Sequence, residues 1–327
     1  MLPQIRLQPW YPGQMGVPGS DVPRGVRSRS NGIVLYVDNG HPAATAVADG
    51  TDPENPLTTI AAAFARLATL HARTDVPAEG TVIVIAPGTY SENIAAAGSG
   101  YPDFCTIQGG GNGKYPVIWT CAAGDCLSID KYGWLIDGIH FQPSTTGAGV
   151  KLTRVTGAGA EGTVIQNCFF NGLWGAGLYG VEFNGAPANV SIIGCRFAEF
   201  DATSPAITVT ATGTADPYQT HILGCTFQEC AQYITSVVGG WNASVIMNNV
   251  FAEATGSLAA TTTYINLGNG SLGYNLVTQN IMSGDYSNTG GYTAEVGALD
   301  NWVGNYAADV AEAEVGDNGI TIAVPAA

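Results

Sequence analysis

A short phrase recurs along this chain: an apolar residue, two spacers, then Ile, Cys or Asn, one spacer, and Phe or Met. It reads IDGIHF from Ile136, IQNCFF from Ile165, IIGCRF from Ile192, ILGCTF from Ile222, IMNNVF from Ile246 and VTQNIM from Val277. The fourth residues fall at 139, 168, 195, 225, 249 and 280, so the steps are 29, 27, 30, 24 and 31. A fixed phrase on a drifting period of this length marks a repeat architecture. Each copy is strand-like and too short to bury a core of its own, so the copies must stack.

At 327 residues, length alone points to about two domains. The repeat overrides that expectation, because a solenoid grows along one axis without splitting. Only 11% of the residues are charged and 44 are Gly, a composition too apolar for a disordered chain. No apolar run is long enough for a membrane helix. The opening Met1-Leu-Pro-Gln-Ile-Arg6-Leu-Gln-Pro-Trp10 lacks the apolar core of a signal peptide, which predicts a chain that does not use the general secretory route.

Of the seven Cys, three (Cys168, Cys195 and Cys225) share the fourth slot of the phrase. The spacing predicts a buried column of reduced thiols acting as small apolar residues. No paired C-x-x-C elements mark a zinc site. Cys121 and Cys126 stand apart from the repeat and receive no role.

The net charge of −15 is unevenly spread. The first 30 residues hold Arg6, Arg24, Arg27 and Arg29 against Asp21 alone, whereas no Lys or Arg follows Arg196. An acidic body cannot displace counterions from a nucleic acid, so nucleic-acid binding is not expected. Residues 1–31 alternate Pro with Gly and carry Trp10 and Tyr11. This composition propagates neither helix nor central strand and reads as an extended arm. Its aromatic residues and cations predict docking on an acidic partner through Arg6, Trp10, Tyr11, Arg24, Arg27 and Arg29; a solvated tail is the other reading.

Gly32–Asp38 reads as a strand and is followed by a polar loop with Asp49, Asp52 and Glu54. That loop is either a calcium site or an ordinary polar turn. Ile60, Ala63, Phe64, Leu67 and Leu70 are spaced for one face of a helix over about 58–71, with Thr58 or Thr59 as N-cap. Thr81–Ala86 then reads as a buried strand ending in a Pro87-Gly88 turn.

Tyr36-Val-Asp38, Asp49-Gly-Thr51, Pro56-Leu-Thr-Thr-Ile60, Val82-Ile-Val84, Pro87-Gly-Thr-Tyr90 and Glu92-Asn-Ile94 occur in that order. This series resembles the opening of right-handed parallel β-helix proteins of the pectin-lyase-like superfamily. The resemblance implies an all-β solenoid whose open end is capped by the helix and whose first full coil starts at Pro87-Gly-Thr-Tyr90. It implies little about function, since that superfamily holds enzymes, adhesins, phage tailspikes and other virion proteins.

The repeat supports the same fold. Stacked strands bring each slot into a column at ~4.8 Å per coil, so about eight coils from Ile107 give a shaft of roughly 35–40 Å. Asn249, Asn280 and a further Asn305 continue the Cys column, and Asn side chains satisfy their own amides along such a ladder. Phe141, Phe170, Phe197, Phe227 and Phe251 form a second column. The expected organisation is an arm over 1–31, a β-helix over 32–305 and a terminal segment over 306–327 whose Gly319–Val324 strand caps the solenoid or pairs with a neighbour.

Glycoside cleavage needs two carboxylates facing one sugar bond. Glu199, Glu229 and Glu253 each lie two residues beyond a repeat Phe. They are either an acid pair on adjacent coils or one recurring polar position. Lys131, Lys151 and Arg154 show no companion acids in a recognisable pattern, and the G-x-G-x-x-G stretches at Gly157 and Gly175 open no helix. No catalytic residue, cofactor or metal is therefore assigned. The expectation is a non-enzymatic structural protein on a virion surface, a trimeric decoration or fibre protein held to a capsid or tail by its basic arm. The alternatives are a polysaccharide-degrading tailspike or a secreted, extracellular lyase or hydrolase, and a carbohydrate-binding adhesin presenting Trp174 and Tyr179 to a surface glycan.

Overall fold

The computed structural model describes residues 32–308 and 320–321, apart from residues 74, 76–77, 112–115, 155–158, 202, 211–215, 238, 253–262, 269–272 and 284–299. The chain winds as a right-handed parallel β-helix, and the described residues form three sheets of ten, ten and seven strands, all parallel except the last pair of the second. The first sheet runs from Val34–Val37 to Asn301–Val303, the second from Gly88–Ser91 to Ile320–Thr321, and the third from Ile94–Ala96 to Thr263–Ile265. At ~4.8 Å per coil, the first sheet spans about 43 Å.

The phrase encodes the corner between the first two sheets. Its first residue is the inward residue of the first sheet, in the register Ile83, Ile107, Ile136, Ile165, Ile192, Ile222, Ile246 and Val277. Its third residue turns the corner in the left-handed region: Gly138 at φ 71°, Asn167 at 52°, Gly194 at 59°, Gly224 at 61°, Asn248 at 58° and Gln279 at 56°. Gly and Asn suit that conformation, while a side chain such as that of Gln279 costs about 1–2 kcal/mol there. The last residue points inward from the second sheet.

Those last residues stack. Ring centroids of Phe141, Phe170, Phe197, Phe227 and Phe251 follow one another at 5.2, 4.9, 4.9 and 4.7 Å, near parallel. Trp119 extends the column upstream, 5.5 Å from Phe141. All of these rings are fully buried, which stabilises the fold by roughly 1.5–3 kcal/mol per ring.

The fourth residue forms the predicted column. The thiols of Cys168, Cys195 and Cys225 donate to the carbonyls of Ile136, Ile165 and Ile192, at 3.8, 3.6 and 3.6 Å. Asn249, Asn280 and Asn305 donate Nδ2 to Ile222, Ile246 and Val277 in the same geometry, at 3.0, 3.0 and 2.9 Å. The amides also bond along the axis, Asn249 to Asn280 at 3.0 Å and Asn280 to Asn305 at 2.8 Å. All seven Cys are free thiols and buried.

The helix runs Ile60–His71, with the side chain of Thr59 accepting from the Ala62 N–H at 3.0 Å. Glu92 adds a second cap, its two carboxylate oxygens accepting from Ile60 and Ala61 N–H at 2.8 and 2.6 Å. The five expected apolar residues are the buried face. The helix packs against Val34–Val37 and Ile94–Ala96, the end strands of the first and third sheets, and so closes that end. At the other end Ile320–Thr321 pairs antiparallel with Tyr306–Ala307 and covers the edge of the second sheet.

Candidate functional site

The outward face of the second sheet does not repeat as its inward face does. In register along it stand Ile118, His140, Phe169, Arg196, Thr226, Val250 and Ile281. His140 stacks on Phe169 with ring centroids 4.4 Å apart, and the Arg196 guanidinium lies 4.9 Å above the same ring. Arg196 also donates to the Gln228 side-chain oxygen at 2.8 Å. Burial, and then the Arg196 charge, pulls the His140 pKa down to about 4, so the imidazole is neutral at neutral pH.

Where this sheet ends, the chain turns through Gly172, Glu199 and Glu229 on successive coils. Ala198 pairs with Asn171 and Gln228, which puts the three corner residues one above another. Glu199 and Glu229 hold left-handed backbone at φ 64° and 53°, a conformation that favours Gly. Partial burial, then repulsion from Glu229, raises the Glu199 pKa against the opposing effects of Asn171 and Arg196. The two carboxylates therefore sense each other on adjacent coils.

A short loop rises beside this corner. Gly172 N–H donates to Ala198 O at 2.8 Å and Gly175 N–H to Glu199 O at 3.3 Å. Between them Leu173 and Trp174 are 39% and 51% exposed, an outward-facing apolar pair. Leu173 N–H is held by the Asn171 side chain at 2.7 Å. Gly175, at φ 88°, passes so close to Asp201 that a Cβ there would lie 2.5 Å from the carboxylate. Asp201 in turn accepts from Thr203 N–H and Oγ1, both at 2.9 Å.

The structure thus brings together Asn171, Trp174, Arg196, Glu199, Gln228 and Glu229. Of these, the sequence reading weighed Glu199, Glu229 and Trp174. Arg196, Asn171 and Gln228 escaped it, because their signal lies in the alternation of facing along each strand and in no motif. Tyr179 is only partly exposed and begins a strand of the third sheet. Glu253 and the docking residues Arg6, Trp10, Tyr11, Arg24, Arg27 and Arg29 lie outside the described residues.

The basic residues that looked unaccompanied do meet acids: Lys131 with Asp130 at 3.4 Å, Lys151 with Glu182 at 3.2 Å and Arg154 with Glu161 at 2.7 Å. Glu182 lies on the next coil in register with Lys151, whereas Asp130 and Glu161 are close to their partners in sequence. Asp49 and Asp52 accept from Thr51 and Glu54 N–H within their own loop, both at 2.9 Å. Among the described residues no three His, Cys, Asp or Glu converge as metal ligands.

No protein-family model matches the chain, and no curated protein matches it in sequence. Solved structures match in fold. An alginate lyase from Paenibacillus sp. str. FPU-7 superposes with a TM-score of 0.53 at 16% identity, over 75% of this chain and 84% of the lyase. A rhamnogalacturonan lyase superposes with a TM-score of 0.52 at 13% identity, over 77% of this chain and 68% of the lyase. At such identities the likeness is one of fold alone. The chain has the pectin-lyase-like right-handed parallel β-helix fold.

Proposed function

We propose that this protein is a glycan-active β-helix that lays a polysaccharide along the outer face of its second sheet and hydrolyses a glycosidic bond between Glu199 and Glu229. The observation that carries this reading is the pairing of two carboxylates on consecutive coils, one with its proton affinity raised by burial and by the other. Coils stack ~4.8 Å apart, close to the ~5–5.5 Å separation of carboxyl groups in retaining glycosidases. Glu199 is then the general acid that protonates the leaving oxygen, and Glu229 the nucleophile. Arg196 and Gln228 supply hydrogen bonds to sugar hydroxyls, and Trp174 supplies a flat apolar surface for a pyranose ring. The two carboxylates supply the acid and the nucleophile that hydrolysis needs, while Arg196, held over Phe169 and bonded to Gln228, binds the sugar. The lyases of like fold add only that this scaffold handles polysaccharides elsewhere. The virion expectation rests on residues 1–31, and none of the described residues carries it.

The test is an assay of reducing ends released from a panel of alginate, rhamnogalacturonan, pectin, chitosan and β-glucan. The expected result is turnover of one of them without formation of unsaturated uronate. Glu199→Gln and Glu229→Gln are each expected to lower it by about 10²–10⁴-fold at unchanged melting temperature. Turnover that survives both substitutions, or none on any polymer, overturns the proposal.

A further inference from the structure

A second cluster lies away from that face, in the turn Cys121-Ala-Ala-Gly-Asp-Cys126 that joins strand Val117–Thr120 of the second sheet to Leu127–Ile129 of the third. The Cys126 thiol points at Cys121 Sγ with 2.7 Å between the sulfurs. That separation falls between a covalent S–S bond of ~2.05 Å and ordinary non-bonded contact at ~3.5–4.0 Å.

The turn that brings the sulfurs together is pinned by both neighbouring coils. From one side, Asn93 Nδ2 donates to the carbonyls of Ala123 and, at 2.8 Å, Asp125. From the other, Thr146 Oγ1 accepts Gly124 N–H at 2.8 Å, Ser144 Oγ donates to Gly124 O at 2.9 Å, and Ala148 N–H donates to Asp125 Oδ1 at 2.9 Å. Gly124 makes the tight turn in the left-handed region, at φ 69°.

We propose that Cys121 and Cys126 are a dithiol–disulfide site, which closes by exchange with a small-molecule disulfide and reopens with a small thiol. Cys121, 8% exposed, receives the oxidant, while Cys126 is fully buried. The Cys121 thiolate attacks one sulfur of oxidised glutathione and expels one glutathione thiolate, leaving a mixed disulfide. Cys126 then attacks Cys121 Sγ and expels the second glutathione, whose departing thiolate takes up the Cys126 proton. Two protein thiols are oxidised and one glutathione disulfide is reduced to two thiols. The hydrogen bond from Cys126 lowers the Cys121 pKa to about 7 and, with burial, raises that of Cys126, the order of reactivity this sequence of steps requires. The repeat-slot thiol of Cys195 differs: burial drives its pKa well up.

The experiment treats the full reduced chain with glutathione buffers of rising disulfide fraction, then acid quench, alkylation, intact mass and peptide mapping. The expected product has lost two of its seven thiols to one internal disulfide linking Cys121 to Cys126, and the other five alkylate only after unfolding. Cys126→Ser is expected to accumulate the glutathione adduct on Cys121, and Cys121→Ser to take none on Cys126. Seven thiols persisting in oxidised glutathione, a disulfide between other cysteines, or equal adduct formation in the two variants overturns the proposal.

Discussion

Phe197 and Arg196 are neighbours in one strand, and they teach opposite lessons. Phe197 points inward into a column whose members are all aromatic from Trp119 to Phe251. Arg196 points outward into a row in which His140, Phe169, Arg196, Thr226 and Val250 all differ in chemistry. Backbone and register are shared by the two faces. The inward face repeats because each coil must fill the same space against the next at close-packed density. The outward face is free of that constraint, so the cluster of stacked ring, guanidinium, amides and carboxylates that it carries among the described residues is where function is to be sought.

Three measurements probe this contrast. The largest effect belongs to the inner face: Phe197→Ala is expected to cost about 3–5 kcal/mol by emptying the middle of the aromatic column. Arg196→Ala, one residue away, is expected to stay within about 0.5 kcal/mol. Denaturant melts of the two variants check this, and equal losses would erase the distinction between faces.

The next effect comes from His140, which belongs to the outer face yet is held neutral by burial. Its folded pKa of about 4 lies below the ordinary 6.5, so between these values the unfolded chain binds the extra proton. Stability is therefore complete above pH 6.5 and falls as the pH drops towards 4, by up to about 2–3 kcal/mol. His140→Phe, which keeps the stack on Phe169, is expected to flatten that part of the curve. A pH–melting profile identical in wild type and variant would show that another group governs it.

The smallest effect lies at the corner. Glu199 holds a left-handed backbone at φ 64° and is repelled by Glu229 on the next coil. Glu199→Gly is expected to stabilise the fold by about 0.5–1 kcal/mol, relief of the left-handed strain being partly offset by the entropy of Gly. A destabilised variant would mean that the carboxylate contributes to the fold, which would weaken its assignment to chemistry.

The comparison within the fourth slot is equally instructive. Cys195 and Asn280 send a donor to the same carbonyl row, yet only the Asn side chain carries an acceptor as well, taken up by the N–H of Asn249 at 3.0 Å. The column therefore changes from thiols to an amide ladder without a change in backbone path.

Much of this was legible in the sequence because a solenoid is nearly one-dimensional. A residue's column follows from its place in the phrase, so Ile192, Cys195 and Phe197 could be assigned to the interior before any coordinates were considered. The helix face from Ile60 to Leu70 was legible from periodicity, and the cap from residue type as Thr58 or Thr59, of which the fold uses Thr59. The left-handed corner also lay in the phrase, in the third residue, Gly or Asn in every copy but the one with Gln279, but its meaning needed the turn to be seen.

Tertiary structure decided whatever depends on neighbours across coils or across turns. Glu199 and Glu229 share one repeat position, and only stacking could show that burial and mutual repulsion raise the proton affinity of the first. Cys121 and Cys126 fall outside the repeat, so no column predicted their approach; contacts from Asn93, Ser144 and Thr146 create it. The sequence by itself determined the interior, because close packing forces the same side chains to recur at each coil. The outer chemistry was decided only by the fold, because solvent imposes no recurrence there and its groups meet through register alone.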